Sequence, residues 1–202
     1  MGITPDRFQQ GLSYEAWKAQ MTRNRERFEE NERDAPLTEQ DLAAFRALPR
    51  PLHVMVLAED WCGDVVANLP LLGRIAGETR KLDLRVFLRD QNLDLMDQYL
   101  NEGTYRSIPV FAFFDDEFRE IAVFIERPRS VTELRDRKRR EIYASDAGFG
   151  SPADPIDALP EDVRQRLHDA LVKMRTETKS FADREVVRQL RELVTRAPAG
   201  RG

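Results

Sequence analysis

The stretch Glu59-Asp60-Trp61-Cys62-Gly63-Asp64-Val65 sets one thiol among groups that could make it react. Cys62 opens a helical pattern, where unpaired backbone N–H groups and the positive end of the helix dipole favour thiolate over thiol. The thiolate is the nucleophile in disulfide exchange. Gly63 leaves room for a partner's backbone to approach, and Trp61 offers an apolar platform beside the sulfur. Asp64 acts in the other direction: its carboxylate competes for the same positive helix end and raises the thiol pKa. In a Cys-x-x-Cys loop the second sulfur resolves the mixed disulfide formed by the first. Here that position is Val65, so Cys62 would have to work as a lone thiol and its mixed disulfide would wait for an external one.

Cys62 is the only cysteine in the 202 residues, which excludes an intramolecular disulfide. With His53 and His168 as the only and widely separated histidines, a zinc site is not expected. The 32 basic and 36 acidic side chains are interspersed and leave a net charge of −4, which creates no sustained field for steering nucleic acid. The one basic cluster, Arg135–Tyr143, has Asp136 and Glu141 interleaved and reads as a solvated helix face. Asp90, Asp94 and Asp97 match no calcium-loop spacing, and Asn92 reads there as a helix cap. No stretch approaches the roughly 18 apolar residues of a membrane span. The opening MGITPDRFQQ has neither the pattern of a secretory signal nor, with Asp6, that of a myristoylation site. A cytoplasmic protein that contacts neither membrane nor nucleic acid is expected.

The elements that must position Cys62 follow from periodicity. Tyr14, Trp17, Met21 and Phe28 recur at helical spacing and predict one amphipathic helix over Ser13–Arg33, capped by Ser13. Thr38 and Asp41 start a second helix that runs to Pro49. Leu52–Ala58 is a nearly continuous apolar run, as a strand covered on both faces requires. A helix follows through Leu69, Leu72 and Ile75, in which Pro70 removes a donor, frees the Val66 carbonyl and bends the helix. Leu82–Leu88 predicts a strand and Leu93–Leu100 a helix ending at Gly103. Val110–Phe114 and Ile121–Ile125 predict two strands joined by a tight acidic turn, before a helix from about Ser130. Ser145–Pro160 is rich in turn residues, and two more helices are predicted over Glu161–Glu177 and Ala182–Arg196.

Three features together resemble the thioredoxin-like superfamily over roughly Tyr14–Pro128. Trp61-Cys62-Gly63-Asp64 sits where a strand passes into a helix, Pro70 lies eight residues after Cys62, and Ser107-Ile108-Pro109-Val110 begins a strand. The motif is similar to the Trp-Cys-Gly-Asp-Cys signature of a bacterial group of that family, with Val65 in place of its second cysteine. The resemblance implies an α/β, thioredoxin-like three-layer sandwich with a mixed β-sheet, a helical prefix over 1–50 and a core over 51–145. A linker or loop over 146–160, a C-terminal helical extension over 161–196 and a disordered tail over 197–202 would complete it.

The resemblance also implies a cis peptide before Pro109, which would leave the Ile108 backbone beside the sulfur free to pair with an extended peptide or glutathione. It places a buried acid where this chain has Val56. The function it implies is monothiol thiol–disulfide exchange in cell redox homeostasis. Cys62 would be the nucleophile, Trp61, Gly63, Ile108 and Pro109 the substrate contacts, and Asp64 the tuning residue. The partners would be protein or small-thiol disulfides. No bound cofactor is expected, and glutathione or another low-molecular-weight thiol is the candidate co-substrate. The alternative is a redox-inactive binding or adaptor protein on the same fold.

Overall fold

The computed structural model describes residues 2–196, and the tail expected at 197–202 lies outside them. In chain order the elements are α1 (Pro5–Gln9), β1 (Leu12–Ser13), α2 (Tyr14–Ala19), α3 (Arg25–Arg33), α4 (Glu39–Arg46), β2 (Leu52–Ala58), α5 (Gly63–Thr79) and β3 (Leu82–Leu88). There follow α6 (Leu93–Met96), β4 (Val110–Phe114), β5 (Glu120–Ile125), α7 (Arg129–Ser145) and α8 (Glu161–Arg196). Contacts divide the chain into two units, residues 2–127 with 186–196, and residues 128–185.

The first unit is built on a five-stranded sheet in the order β1-β3-β2-β4-β5, with β2 and β3 parallel and the other neighbours antiparallel. Every residue of β2 from Val54 to Ala58 and all of β4 are buried. Successive strand residues point to opposite faces, so the centre of the sheet is covered on both. Phe111 and Phe124 stack across β4 and β5 with ring centroids 5.1 Å apart. Val186, Val187, Leu190 and Val194 of α8 join this core, and the Arg191 guanidinium donates to Asp41 of α4 at 2.8 Å. This is the mixed-sheet thioredoxin-like architecture that the sequence predicts, with helical extensions at both ends.

The helix that follows β2 carries the candidate site. Val65, Val66, Leu69, Leu71, Leu72 and Ile75 of α5 are fully buried. Pro70 lies inside this helix, and the Val66 carbonyl that it cannot serve accepts the Asn31 side-chain amide of α3 at 2.8 Å. Asn31 is itself buried, so the carbonyl that Pro70 frees in α5 is satisfied by one interhelical hydrogen bond. Gly73 permits the close approach of α2, since a Cβ there would come within 2.3 Å of the Tyr14 ring. Tyr14 cannot retreat easily, because its hydroxyl donates to Glu32 at 2.7 Å.

The predicted helix over Ser13–Arg33 is two helices instead. Its expected caps hold, with Ser13 Oγ accepting the Ala16 N–H at 3.2 Å and a complete Thr38–Asp41 capping box on α4. Between α2 and α3, however, the Asp60 carboxylate accepts the N–H groups of Thr22 and Arg23 at 2.7 and 2.9 Å, and Asn24 adopts a left-handed φ of 55°. A distant acid thus captures donors that helix continuation would have used. The predicted helix over Leu93–Leu100 shortens to α6. Asn92 precedes it without a side-chain capping bond, because its amide donates to the Leu88 carbonyl at 2.7 Å and its oxygen accepts from Arg7.

In the second unit Tyr143, Phe149 and Leu167 form a small core of their own. The two helices predicted over Glu161–Glu177 and Ala182–Arg196 are the single helix α8. No Gly or Pro stands between them, and the Thr178 hydroxyl donates back to the Met174 carbonyl at 2.8 Å, as a residue inside a helix does.

Replacing Asn31 by Ala strands a buried carbonyl and should cost about 1–3 kcal/mol of stability. In a Pro70→Ala background the new N–H can serve Val66, so the same replacement should cost clearly less. Urea unfolding of the double-mutant cycle measures the difference, and equal costs in both backgrounds would show that Asn31 does not act through this bond.

Candidate functional site

The site is assembled at the carboxyl end of β2. Asp60 anchors the loop to the segment between α2 and α3, and the Asn24 side chain donates to the Asp60 carbonyl at 2.9 Å. Burial alone would raise the Asp60 pKa, but the hydrogen bonds from Thr22 and Arg23 outweigh it and hold the carboxyl below its ordinary value. The Cys62 N–H donates to the Glu59 carbonyl at 3.2 Å, which turns the chain into α5 with Cys62 as N-cap. Val65, the position of the absent resolving sulfur, points into the core and is fully buried.

Two walls meet at the half-buried sulfur. From α5, the backbone N–H groups of Asp64 and Val65 lower the thiol pKa, although the Cys62 side chain makes no capping hydrogen bond at the helix start. From the opposite segment, the Ile108 carbonyl accepts the Cys62 thiol at 3.4 Å, and the Ile108–Pro109 peptide is cis. Cys62, Gly63, Asp64, Ile108 and Pro109 are thus brought to one place. Trp61 is exposed, and the Arg89 guanidinium lies over its ring, 4.9 Å from the centroid. Arg89 also donates to the Arg106 carbonyl at 3.2 Å, so Trp61 is tied to the segment that leads to Ile108.

The electrostatics do not favour thiolate. Burial is the largest influence on Cys62 and raises its pKa. The N–H groups of Val65 and Asp64 lower it, the carboxylates of Asp64 and Glu126 raise it again, and the net direction is up. The opposition between helix start and Asp64 is as the sequence predicts; burial, the largest influence, decides it, and Glu126 adds the smallest. Glu59 is buried as well, and desolvation raises its pKa although its carboxylate accepts the Asp90 N–H at 2.9 Å.

Sequence reasoning misses Glu126 and Arg127. The Arg127 guanidinium donates to Asp64 at 2.8 Å and to Glu126, so one cation bridges both walls. No local motif marks these residues, which follow β5. Asn68 and Asn31 carry a weak signal, as polar residues on otherwise apolar helix faces. The acids Asp90, Asp94 and Asp97, considered as a cation site, instead pair with Arg89, Arg7 and Arg106. Among the described residues no group of three or more His, Cys, Asp or Glu side chains could hold a metal ion, and no helix is long and apolar enough to cross a membrane.

A family described as thioredoxin matches residues 11–139. Among solved structures the chain is similar to a protein of unknown function from Pseudomonas aeruginosa, with 19% identity, a TM-score of 0.58, and coverage of 84% of this chain and 96% of that one. It is also similar to an HIV epitope scaffold, with 19% identity, a TM-score of 0.57, and coverage of 82% of this chain and 93% of that one. At these identities the two structures speak for the fold alone. No curated protein matches.

Because its pKa is raised, the thiol should be alkylated slowly at neutral pH. The rate with iodoacetamide should climb with pH to a half-maximum above the ordinary cysteine value of about 8.5. Asp64→Asn removes one of the raising influences and should move the half-maximum to lower pH, leaving the larger effect of burial in place. A wild-type half-maximum at or below pH 7 would show that the helix terminus prevails.

Proposed function

The chain belongs to the thioredoxin family, and from that premise we propose that it exchanges disulfides through the single thiol of Cys62. The Cys62 thiolate attacks one sulfur of a disulfide, the new bond forms at Sγ, and the other half leaves as a thiolate. An external thiol then attacks the partner sulfur of the mixed disulfide and takes that half away. Cys62 is released as thiolate and is reprotonated. Electrons are conserved, and the second thiol comes from glutathione or another small thiol.

The observation that carries this reading is the meeting of the two walls. Sγ lies at the start of α5, where the N–H donors of Asp64 and Val65 lower the thiol pKa without a capping hydrogen bond, and 3.4 Å from the Ile108 carbonyl. The donors stabilise charge on sulfur as the thiol ionises, and the loop at Ile108 and Pro109 offers backbone against which an extended disulfide partner lies. Gly63 leaves the approach open, Trp61 supplies an apolar flank, and Asp64 tunes the thiol. The raised thiol pKa makes the exchange slow at neutral pH and faster in alkali. The substrates fit the class of protein or small-thiol disulfides in the cytoplasm.

Cys62→Ser should abolish reduction of a small disulfide in the presence of excess glutathione, and equal rates for variant and wild type would remove the proposal. Val65→Cys should supply internal resolution, read as an oxidised form two mass units lighter than the reduced one. Loss of the glutathione requirement should accompany it. If that variant folds and forms no internal disulfide, the loop geometry does not support the thiol chemistry assigned to it.

A further inference from the structure

The turn Arg89–Gln91, which follows β3, reaches both sides of the site. The Asp90 N–H donates to the buried Glu59 carboxylate at 2.9 Å, just ahead of Trp61 and Cys62 in their loop. From the same turn the Arg89 guanidinium lies 4.9 Å from the centroid of the Trp61 ring and donates to the Arg106 carbonyl at 3.2 Å. Arg106 stands shortly before Ile108, and its own side chain donates to Asp97 at 2.7 and 2.9 Å. One side chain thus joins the loop of Cys62 to the segment that carries the Ile108 carbonyl.

Trp61 needs such a hold. At 43% exposure its indole is not seated in the core, whereas that of Trp17 is 1% exposed. A cation over the face of an exposed indole biases its position by about twofold to fivefold, and by more where water is excluded. The guanidinium can do this only if its own plane is set. Asp90 sets it: Oδ1 accepts Nε at 2.9 Å and lies 2.7 Å from Nη2, while Nη1 serves the Arg106 carbonyl. To meet a ring face, a carboxylate and a carbonyl at once takes the planar fork of arginine; a lysine ammonium is a point donor on a flexible stem.

We infer that Arg89 is a positioning residue for the exchange proposed above, on which the inference rests. It holds Trp61 and the segment leading to Ile108 in one arrangement, so that a disulfide carried on a peptide meets a fixed flank beside the sulfur. It acts through Trp61 and the Arg106 carbonyl, and not on the thiol. A reagent small enough to reach Sγ without lying along Ile108 gains nothing from that arrangement. A peptide disulfide, which must fit between Trp61 and Ile108, depends on it.

Two neutral reagents that use the same thiolate separate this role from thiol acidity. With methyl methanethiosulfonate the Cys62 thiolate attacks the sulfenyl sulfur, a methyl mixed disulfide forms, and methanesulfinate leaves with the electron pair. With the disulfide-linked dimer of N-acetyl-Ala-Cys-Ala-amide it attacks one sulfur, one peptide stays attached, and the other leaves as thiolate. The ratio of the peptide rate to the small-reagent rate cancels the thiolate fraction. In Arg89→Met, which keeps a long apolar stem and removes the cation and its donors, this ratio should fall by about twofold to fivefold. Arg89→Lys keeps the charge without the fork and should lower the ratio too; it carries the test if Arg89→Met folds poorly. In a Trp61→Leu background the effect of Arg89→Met should shrink. A wild-type ratio in either Arg89 variant would overturn the inference, as would an undiminished effect in the Trp61→Leu background. Acrylamide quenching needs no disulfide chemistry: Trp17 is sealed in the core, so the quenchable emission is that of Trp61. Its quenching constant should rise in both Arg89 variants, and an unchanged constant would overturn the hold on the ring. Labelling of wild type by the thiosulfonate but not by the peptide dimer would remove the exchange reading, whereas quenching would still decide whether Arg89 holds Trp61.

Discussion

A helix buried along most of its length must find a partner for every backbone polar group, and α5 has two places where it cannot do so by itself. Its first turn has N–H groups with no carbonyl behind them, and Pro70 leaves the Val66 carbonyl without its usual donor. The structure around the site answers these needs. Cys62 stands as N-cap before the first-turn donors, whose influence lowers its pKa, and Asn31 reaches from α3 to Val66. The close contact of Tyr14 with Gly73 and the Tyr14–Glu32 bond then set how the helical prefix lies against α5. The thiol is therefore placed by the same polar accounting that holds the helix, and a change in one is felt in the other.

That placement explains why the helix terminus does not produce a strongly acidic thiol. Helix-end donors stabilise charge only in proportion to what the surroundings cost that charge. At Cys62 the cost comes first from burial, and Asp64 and Glu126 add to it from both walls. The Cys62 thiol donates to the Ile108 carbonyl, an interaction that exists only while sulfur keeps its proton. The ground state is a held thiol. A disulfide partner laid against Ile108 would compete for that carbonyl, and so would remove one of the interactions that keep the proton in place.

Much of this is legible in the sequence where the determinant is local. Leu52–Ala58, Leu82–Leu88 and Val110–Phe114 are apolar runs bounded by turn residues, and they become β2, β3 and β4 at the expected limits. The caps at Ser13 and Thr38 and the Val66 carbonyl freed by Pro70 are equally local, and the cis peptide at Pro109 follows from the resemblance. What is not legible depends on residues far apart. The break between α2 and α3 comes from Asp60, 38 residues beyond Thr22, and helical periodicity in Tyr14, Trp17, Met21 and Phe28 gives no warning of it. Conversely α8 runs unbroken from Glu161 to Arg196 because no Gly or Pro interrupts it. Glu126 and Arg127 reach Cys62 only through the pairing of β4 with β5, so no window of sequence around the thiol contains them.

Val65 shows why loss of the second sulfur leaves the architecture whole. The position faces the core and is fully buried, and the lowering influence of its backbone N–H on the thiol pKa does not depend on its side chain. A thiol there would act as a small hydrophobe in the reduced state, and valine fills a similar space without a polar group to satisfy. The fold therefore exerts no pressure to retain sulfur at this site; only the resolving step of a dithiol cycle would. The first wall of the site is likewise independent of Val65, since the donors come from backbone and the Ile108 carbonyl from the opposite segment. In the proposed exchange the chain keeps a thiol that can form a mixed disulfide and lacks an internal group to release it, which gives the external thiol control over how long a partner stays attached.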